Sequence, residues 1–142
     1  MYAAEVIEKN FNPEERERLR KNLVTTLESC EKTANAISLK VVDAVIGWEV
    51  FAHWDPERIE TIFLKPEEVP RIGYIPAAVS TFANDRPLAE RLVVFLVSSE
   101  AKTIFRKYGY LMSLQEARKY VLPGTPVGGE YSLPNAWKRK KR

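Results

Sequence analysis

Few side chains in this sequence are of the types that carry out chemistry. The chain has one cysteine, Cys30, and one histidine, His53, and these two residues lie in different segments. A lone cysteine cannot form an internal disulfide, and one cysteine with one histidine is too small a set for a zinc site. Because the sequence also has no recognisable pair of catalytic carboxylates and no nucleophile elbow, it predicts no enzyme, no metal and no cofactor.

Two consecutive segments, "SCEKTANAISLK" and "VVDAVIGWEV", hold the residues of greatest chemical interest. Ser29 is a candidate N-cap for a helix over the first segment, although Lys32 leaves the capping box incomplete. The second segment is a short apolar run that ends at Trp48, which is typical of a buried strand. Trp48 is either a core aromatic or the wall of a binding site. Likewise, Cys30 is either a small buried residue or a site residue, and Ser29 either a simple cap or part of a site.

The elements around these segments alternate between helical and strand patterns. Asn12 and Pro13 mark a helix start, Asn84 or Asp85 marks another, and Ser98 or Ser99 restarts a helix that Gly109 ends. Helices are predicted over residues 2–10, 84–97, 98–109 and 113–122, and two more helices are predicted to begin at residues 12 and 29. Strands are predicted over residues 22–29, 41–48, 58–64 and part of 69–85. This order predicts an α/β fold with some parallel pairing.

The net charge of +3 arises mostly from the last five residues, Lys138 to Arg142. Without them the chain is slightly acidic, so a nucleic-acid partner is not expected for the protein as a whole. No apolar run is long enough to span a membrane. The first residues include Glu5 and Glu8 and have no basic region like that of a signal peptide. As written, the chain is expected to be cytoplasmic.

Three blocks carry a resemblance to a known family. They are "SCEKTANAISLKVVDAVIGW", "VPRIGYIPAAVS" and "RPLAERLVVFLVSSEAKTIFRKYGY". In this order they resemble the C-terminal half of a type II periplasmic solute-binding protein of an ABC transporter, and the nearest branch is the molybdate and tungstate binders. The first block points to oxyanion binders more narrowly than the other two.

The resemblance implies a partial periplasmic-binding-protein type II fold. It would comprise half of lobe 2 over residues 1–71, the C-terminal part of lobe 1 over residues 72–122, and a flexible basic tail over residues 123–142. Family members are much longer than this chain and are periplasmic or extracellular. We therefore expect a truncated or split product, or an independent protein. An ABC permease would be a partner only of a full-length form.

The resemblance also implies a site for a tetrahedral dianion such as molybdate or tungstate. In the family, a backbone amide at the start of a helix binds the anion, and Cys30 takes that position with Ser29 as the cap. A tyrosine hydroxyl is the second donor, and Trp48 takes its place. The indole N–H still donates but does not accept, so the choice of anion stays open. Because the donors of the missing half are absent, we expect weak binding or none by this chain alone.

Two further expectations concern partners. Strands without their neighbours leave open edges, which predicts a homo-oligomer, with residues 72–82 as the hinge of a segment-swapped dimer. The alternative function is a cytosolic protein-interaction or regulatory module that reuses the scaffold. The basic end favours this alternative slightly, because such a segment can bind an acidic partner, nucleic acid or an anionic membrane.

Overall fold

The computed structural model describes residues 2–138, in which helices are the only regular elements. The α-helices in chain order are α1 (Tyr2–Asn10), α2 (Pro13–Lys21), α3 (Cys30–Ser38), α4 (Val50–Trp54), α5 (Arg86–Leu96), α6 (Ser99–Arg106) and α7 (Leu114–Ala117), and 3-10 turns cover Arg118–Tyr120 and Asn135–Trp137.

The helices begin where the sequence predicts. Asn12 caps α2 in a complete capping box: its side chain accepts from the Glu15 N–H at 3.0 Å, and its own N–H donates to the Glu15 carboxylate at 2.9 Å. Asp85 caps α5 and Ser98 caps α6, with side-chain to backbone distances of 2.9 and 3.2 Å. These caps are local arrangements of three or four residues, which is why the sequence alone predicts them.

The predicted strands are not formed within the described residues. Residues 2–138 contain no β-strand, and their single β-bridge pairs Ile72 with Val127 in parallel. The α/β expectation and the two-lobe assignment are therefore not confirmed. The physical reason is that a strand exists only when a neighbouring backbone supplies its hydrogen bonds. The apolar pattern predicts a segment suited to a sheet but does not supply the partner.

The small core lies between α3 and α4. Ala34, Phe51 and Ile59 are its buried members, and Val45 and Ile37 pack against them. Gly47 is required for this packing, since a Cβ atom at that residue would lie 2.2 Å from Cε2 of Phe51. This core holds α4 against α3 and so fixes the segment that carries Trp48 relative to the start of α3.

Residues 122–138, which we call the C-terminal strap, return to the first part of the chain. The Ile72 N–H donates to the Pro126 carbonyl at 2.9 Å, and the Gly128 N–H donates to the Ile72 carbonyl at 2.8 Å. Trp137 donates from Nε1 to the Glu8 carboxylate at 2.6 Å. Residues 139–142 of the predicted basic tail lie outside the described residues, and the domain boundaries at 71 and 122 stay a prediction.

Candidate functional site

The candidate site is a pocket of about 330 Å³ between α1, the start of α3, the residues before α4 and the segment that precedes Ile72. We call it the site pocket. Three residues predicted from the sequence, Ser29, Cys30 and Trp48, all lie in its wall. The other wall residues are mostly apolar and comprise Tyr2, Ala3, Val6, Leu27, Glu28, Thr33, Ile46, Gly47, Phe51, Leu64, Val69, Pro70 and Arg71.

The start of α3 offers backbone donors to this pocket. Ser29 adopts an extended backbone conformation, and its hydroxyl accepts from the Lys32 N–H at 3.2 Å. The N–H groups of Cys30 and Glu31 have no acceptor among residues 2–138. Unpaired N–H groups and the helix dipole together make the first turn of a helix favourable for negative charge. Cys30 is exposed, so it is not the small buried residue that the alternative interpretation of the sequence supposed.

Trp48 belongs to the pocket wall and not to the core cluster. Its side chain is half exposed, and its ring packs edge-on against Tyr2 with 5.3 Å between ring centroids. A Cβ atom on Gly73 would lie 3.0 Å from the Trp48 ring, so the ring also lies close to the backbone there. The indole N–H has no acceptor within the described residues. The geometry thus leaves this donor available to a solute, although its role in binding stays a prediction.

The Arg71–Glu5 ion pair is the part of the site that the sequence did not predict. Arg71 Nε lies 2.7 Å from one Glu5 carboxylate oxygen and 2.9 Å from the other, and both side chains are only 11% exposed. Arg71 Nη1 also donates to the Gly128 carbonyl at 2.6 Å. The hydrogen bond to Glu5 raises the pKa of Arg71, which keeps the guanidinium charged. The only sequence signal was a charged residue inside each of two otherwise apolar stretches.

The charges around the pocket nearly balance. The guanidinium of Arg71 is already neutralised by Glu5, and Glu28 also lines the pocket. An incoming anion therefore meets oriented N–H dipoles within apolar walls. The guanidinium of Arg71, the positive charge in the wall, is already paired with Glu5.

Within residues 2–138, no three His, Cys, Asp or Glu side chains are grouped so that they hold a metal ion. His53 lies elsewhere, beside Gly109, where a Cβ atom would be 2.9 Å from its Nε2. The histidine is thus separate from the pocket wall.

Comparison with known families identifies the chain. Residues 1–111 match the family model described as bacterial extracellular solute-binding protein. Neither the curated proteins nor the solved structures gave a match. None of the described helices is both long and apolar enough to cross a membrane. Because the family match covers most of the sequence and every residue of the pocket wall, the chain belongs to the bacterial extracellular solute-binding protein family.

Proposed function

We propose that the site pocket binds a small oxyanion, with molybdate and tungstate as the first candidates, and that it does so without catalysis. The observation that carries the proposal is that two residues with free neutral donors, Cys30 and Trp48, line one pocket. Cys30 supplies a free backbone N–H at the start of α3, and Trp48, which supplies a free indole N–H, belongs to the same wall. Family membership supports a solute-binding role, and the donor chemistry supports an anion.

The expected affinity is low because the donors lie on one side of the solute. A hydrogen bond to a charged partner contributes about 1.5 to 3 kcal/mol, so two or three such bonds hold an anion only modestly once the cost of association is subtracted. We expect a dissociation constant of about 1 mM, which corresponds to about −4 kcal/mol.

The wider role follows from the family. The family is described as extracellular and solute-binding, and we extend this description to delivery of a captured solute to a membrane importer. An ABC permease is therefore the proposed partner of a form that carries a complete site. We keep the partial periplasmic-binding-protein fold as the architectural proposal, and the cytoplasmic location of this chain stays a prediction.

The proposal is tested by titrating the chain with molybdate, tungstate and sulfate at fixed ionic strength. Calorimetry and tryptophan fluorescence should both give saturable binding in the millimolar range. Chloride at the same ionic strength should give no saturable signal. The absence of saturation for every oxyanion at about 10 mM, where a site of about 1 mM would be largely filled, would contradict the proposal.

A matched pair of variants at Cys30 tests the backbone donor itself. Proline is well tolerated at the first position of a helix and removes only the N–H there, and Ser29 already has the extended conformation that proline requires before it. Cys30→Pro should weaken anion binding by about tenfold or more, whereas Cys30→Ala, which keeps the N–H, should not. Equal affinities for the two variants would remove this amide from the site.

A third variant tests the indole donor. Trp48→Phe keeps the aromatic wall against Tyr2 but removes the N–H, so it should weaken binding while leaving the unfolding midpoint almost unchanged. An unchanged affinity would mean that Trp48 contributes only an aromatic surface to the pocket and does not donate a hydrogen bond to the anion.

A second candidate function, a protein-interaction module, is favoured by one specific observation. Large apolar side chains on segments outside the helices are almost fully exposed, including Ile62 at 89% and Phe82 at 90%. This surface has no part in the pocket, so an interaction and solute binding are compatible in one protein.

A further inference from the structure

The chain exposes far more surface than a folded protein of its mass. Its solvent-accessible area is 11451 Å² for 16.3 kDa. A folded monomer of that mass exposes about 7,500 Å². Each partner of an obligate complex buries about 1,000 to 2,500 Å², so an excess of about 4,000 Å² on one chain is more than enough for such an interface. Within residues 2–138, no large side chain is fully buried, which agrees with a chain whose packing is incomplete in isolation.

The excess surface lies partly on three segments that we call the open segments, residues 44–47, 60–64 and 73–79. Their backbone N–H and C=O groups form no hydrogen bond with any residue in the described part of the chain. In the second open segment the consecutive residues Ile62 and Phe63 are 89% and 66% exposed. Two consecutive large apolar side chains of this segment therefore lack a covering layer.

The remaining excess includes an apolar stripe on α5. Leu88, Leu92 and Phe95 recur at the spacing of one helix face and are 54%, 57% and 41% exposed. All eleven residues of α5 are described, and none of them is buried. A helix with such a stripe is stable in a protein when the stripe packs against another layer.

We propose that a second copy of the chain covers this surface by exchange. The α5 stripe of each copy packs on the open segment 60–64 of the other, and residues 73–85 connect the exchanged parts. The chain carries an uncovered helix stripe and an uncovered apolar segment, and a two-fold exchange covers both in each copy and closes the assembly as a dimer. The proposal concerns assembly and does not depend on the proposed solute.

The length of the connection and the charge of the chain both permit this exchange. Thirteen residues, 73–85, span up to about 40 Å when extended, which is enough to reach across a neighbouring small domain. Five of the 22 Lys and Arg residues lie in residues 138–142, and the rest of the chain has a net charge of only −2. Two copies therefore approach without strong mutual repulsion.

The first test is sedimentation velocity of the full chain between about 1 and 50 µM. A single species of twice 16.3 kDa is expected. A monomer at about 10 µM, or an open-ended series of larger species, would overturn the proposal. The proposal would also be overturned if the chain sedimented as a single species only after a different polypeptide was added.

Matched variants on α5 locate the interface. Leu92→Asn lies in the stripe, and Val94→Asn is an equally apolar-to-polar change at a site that is 69% exposed and off the stripe. Leu92→Asn should raise the dimer dissociation constant by about tenfold or more, and Val94→Asn should leave it within about twofold. Equal effects of the two variants would contradict the stripe as the interface.

Disulfide trapping distinguishes exchange from other dimers. In a Cys30→Ala background, one preparation carries Phe63→Cys and a second, larger tagged preparation carries Leu92→Cys. After mixing in mild denaturant, dilution and oxidation, a cross-link between the two preparations is expected. Cross-links only between two Phe63→Cys chains would indicate strand pairing and overturn the exchange. A cross-link within a single chain that carries both substitutions would overturn it as well.

Discussion

Helices α1 and α5 have similar amphipathic patterns but very different environments. In α1, Ala4, Glu5, Val6 and Ile7 are buried, whereas no residue of α5 is buried. The difference lies in distant contacts: Lys9 and Asn10 of α1 donate to backbone carbonyls at residues 69 and 68, each at 2.8 Å. The polar contact of α5 is a local, exposed ion pair between Arg86 and Glu90. An apolar stripe thus specifies which face of a helix must be covered but not which part of which chain covers it.

The largest expected effect is the difference between truncating a phenylalanine in the buried core and truncating one on the exposed helix α5. Phe51 is 4% exposed in the core, and Phe51→Ala should lower the free energy of unfolding by about 3 to 5 kcal/mol. Phe95 is 41% exposed, and Phe95→Ala should cost about 1 kcal/mol or less in the dissociated chain. Both losses are measured by urea unfolding followed by circular dichroism, at protein concentrations below the dimer dissociation constant. Equal losses of unfolding free energy at these concentrations would mean that α5 packs within its own chain, and would contradict the contrast between α1 and α5.

A smaller effect is expected at the C-terminal strap, where Trp137 holds α1. Its indole N–H donates to Glu8, and the Arg20 guanidinium lies 5.4 Å from the ring centroid. Trp137→Ala should cost about 2 kcal/mol of unfolding free energy, because it removes a hydrogen bond to a charged group and a cation–π contact.

The matched control for the strap is Trp137→Phe, which keeps an aromatic face for Arg20 but removes the N–H. It should lose about half as much unfolding free energy as Trp137→Ala. If neither substitution changes the urea midpoint, the strap does not stabilise α1, and the burial of α1 rests on Arg71 and the loop contacts alone.

The smallest expected effect is the pH dependence of the Arg106–Glu116 pair beside α6. The hydrogen bond from Arg106, at 2.6 Å, and a second from the Met112 N–H lower the pKa of Glu116. A carboxyl whose folded-state pKa is lowered contributes stability above its unfolded-state pKa, and this stability is lost as the pH falls through the folded-state value. Urea midpoints measured from pH 7 downward should therefore fall slightly more for the natural chain than for Glu116→Gln. Identical pH profiles would show that this exposed pair does not stabilise the fold.

The sequence predicts those features that depend on neighbouring residues. The caps at Asn12, Ser29 and Ser98 are set within one turn of helix, and all three are confirmed. The strands are not, because a strand depends on a backbone elsewhere, and the described residues pair only Ile72 with Val127. Local propensity cannot supply that information.

The candidate site divides in the same way. The resemblance to the solute-binding family placed Ser29, Cys30 and Trp48 in one site, and all three line the site pocket. The Glu5–Arg71 pair joins residues 66 positions apart. A single charged residue in an apolar stretch does not reveal which distant charge it meets, so this pair becomes visible only in the folded structure.

The hydrogen bonds of Arg71 join parts of the chain that are translated at different times. Its partner Glu5 is synthesised early, but the Gly128 carbonyl that completes its hydrogen bonds emerges 57 residues after Arg71 itself. During that interval the Arg71 guanidinium has its ion pair with Glu5 but lacks its hydrogen bond to the Gly128 carbonyl. The hydrogen bonds around Arg71 are therefore complete only after the strap has been translated, and until then the apolar surface of the nascent chain is accessible to chaperones and proteases.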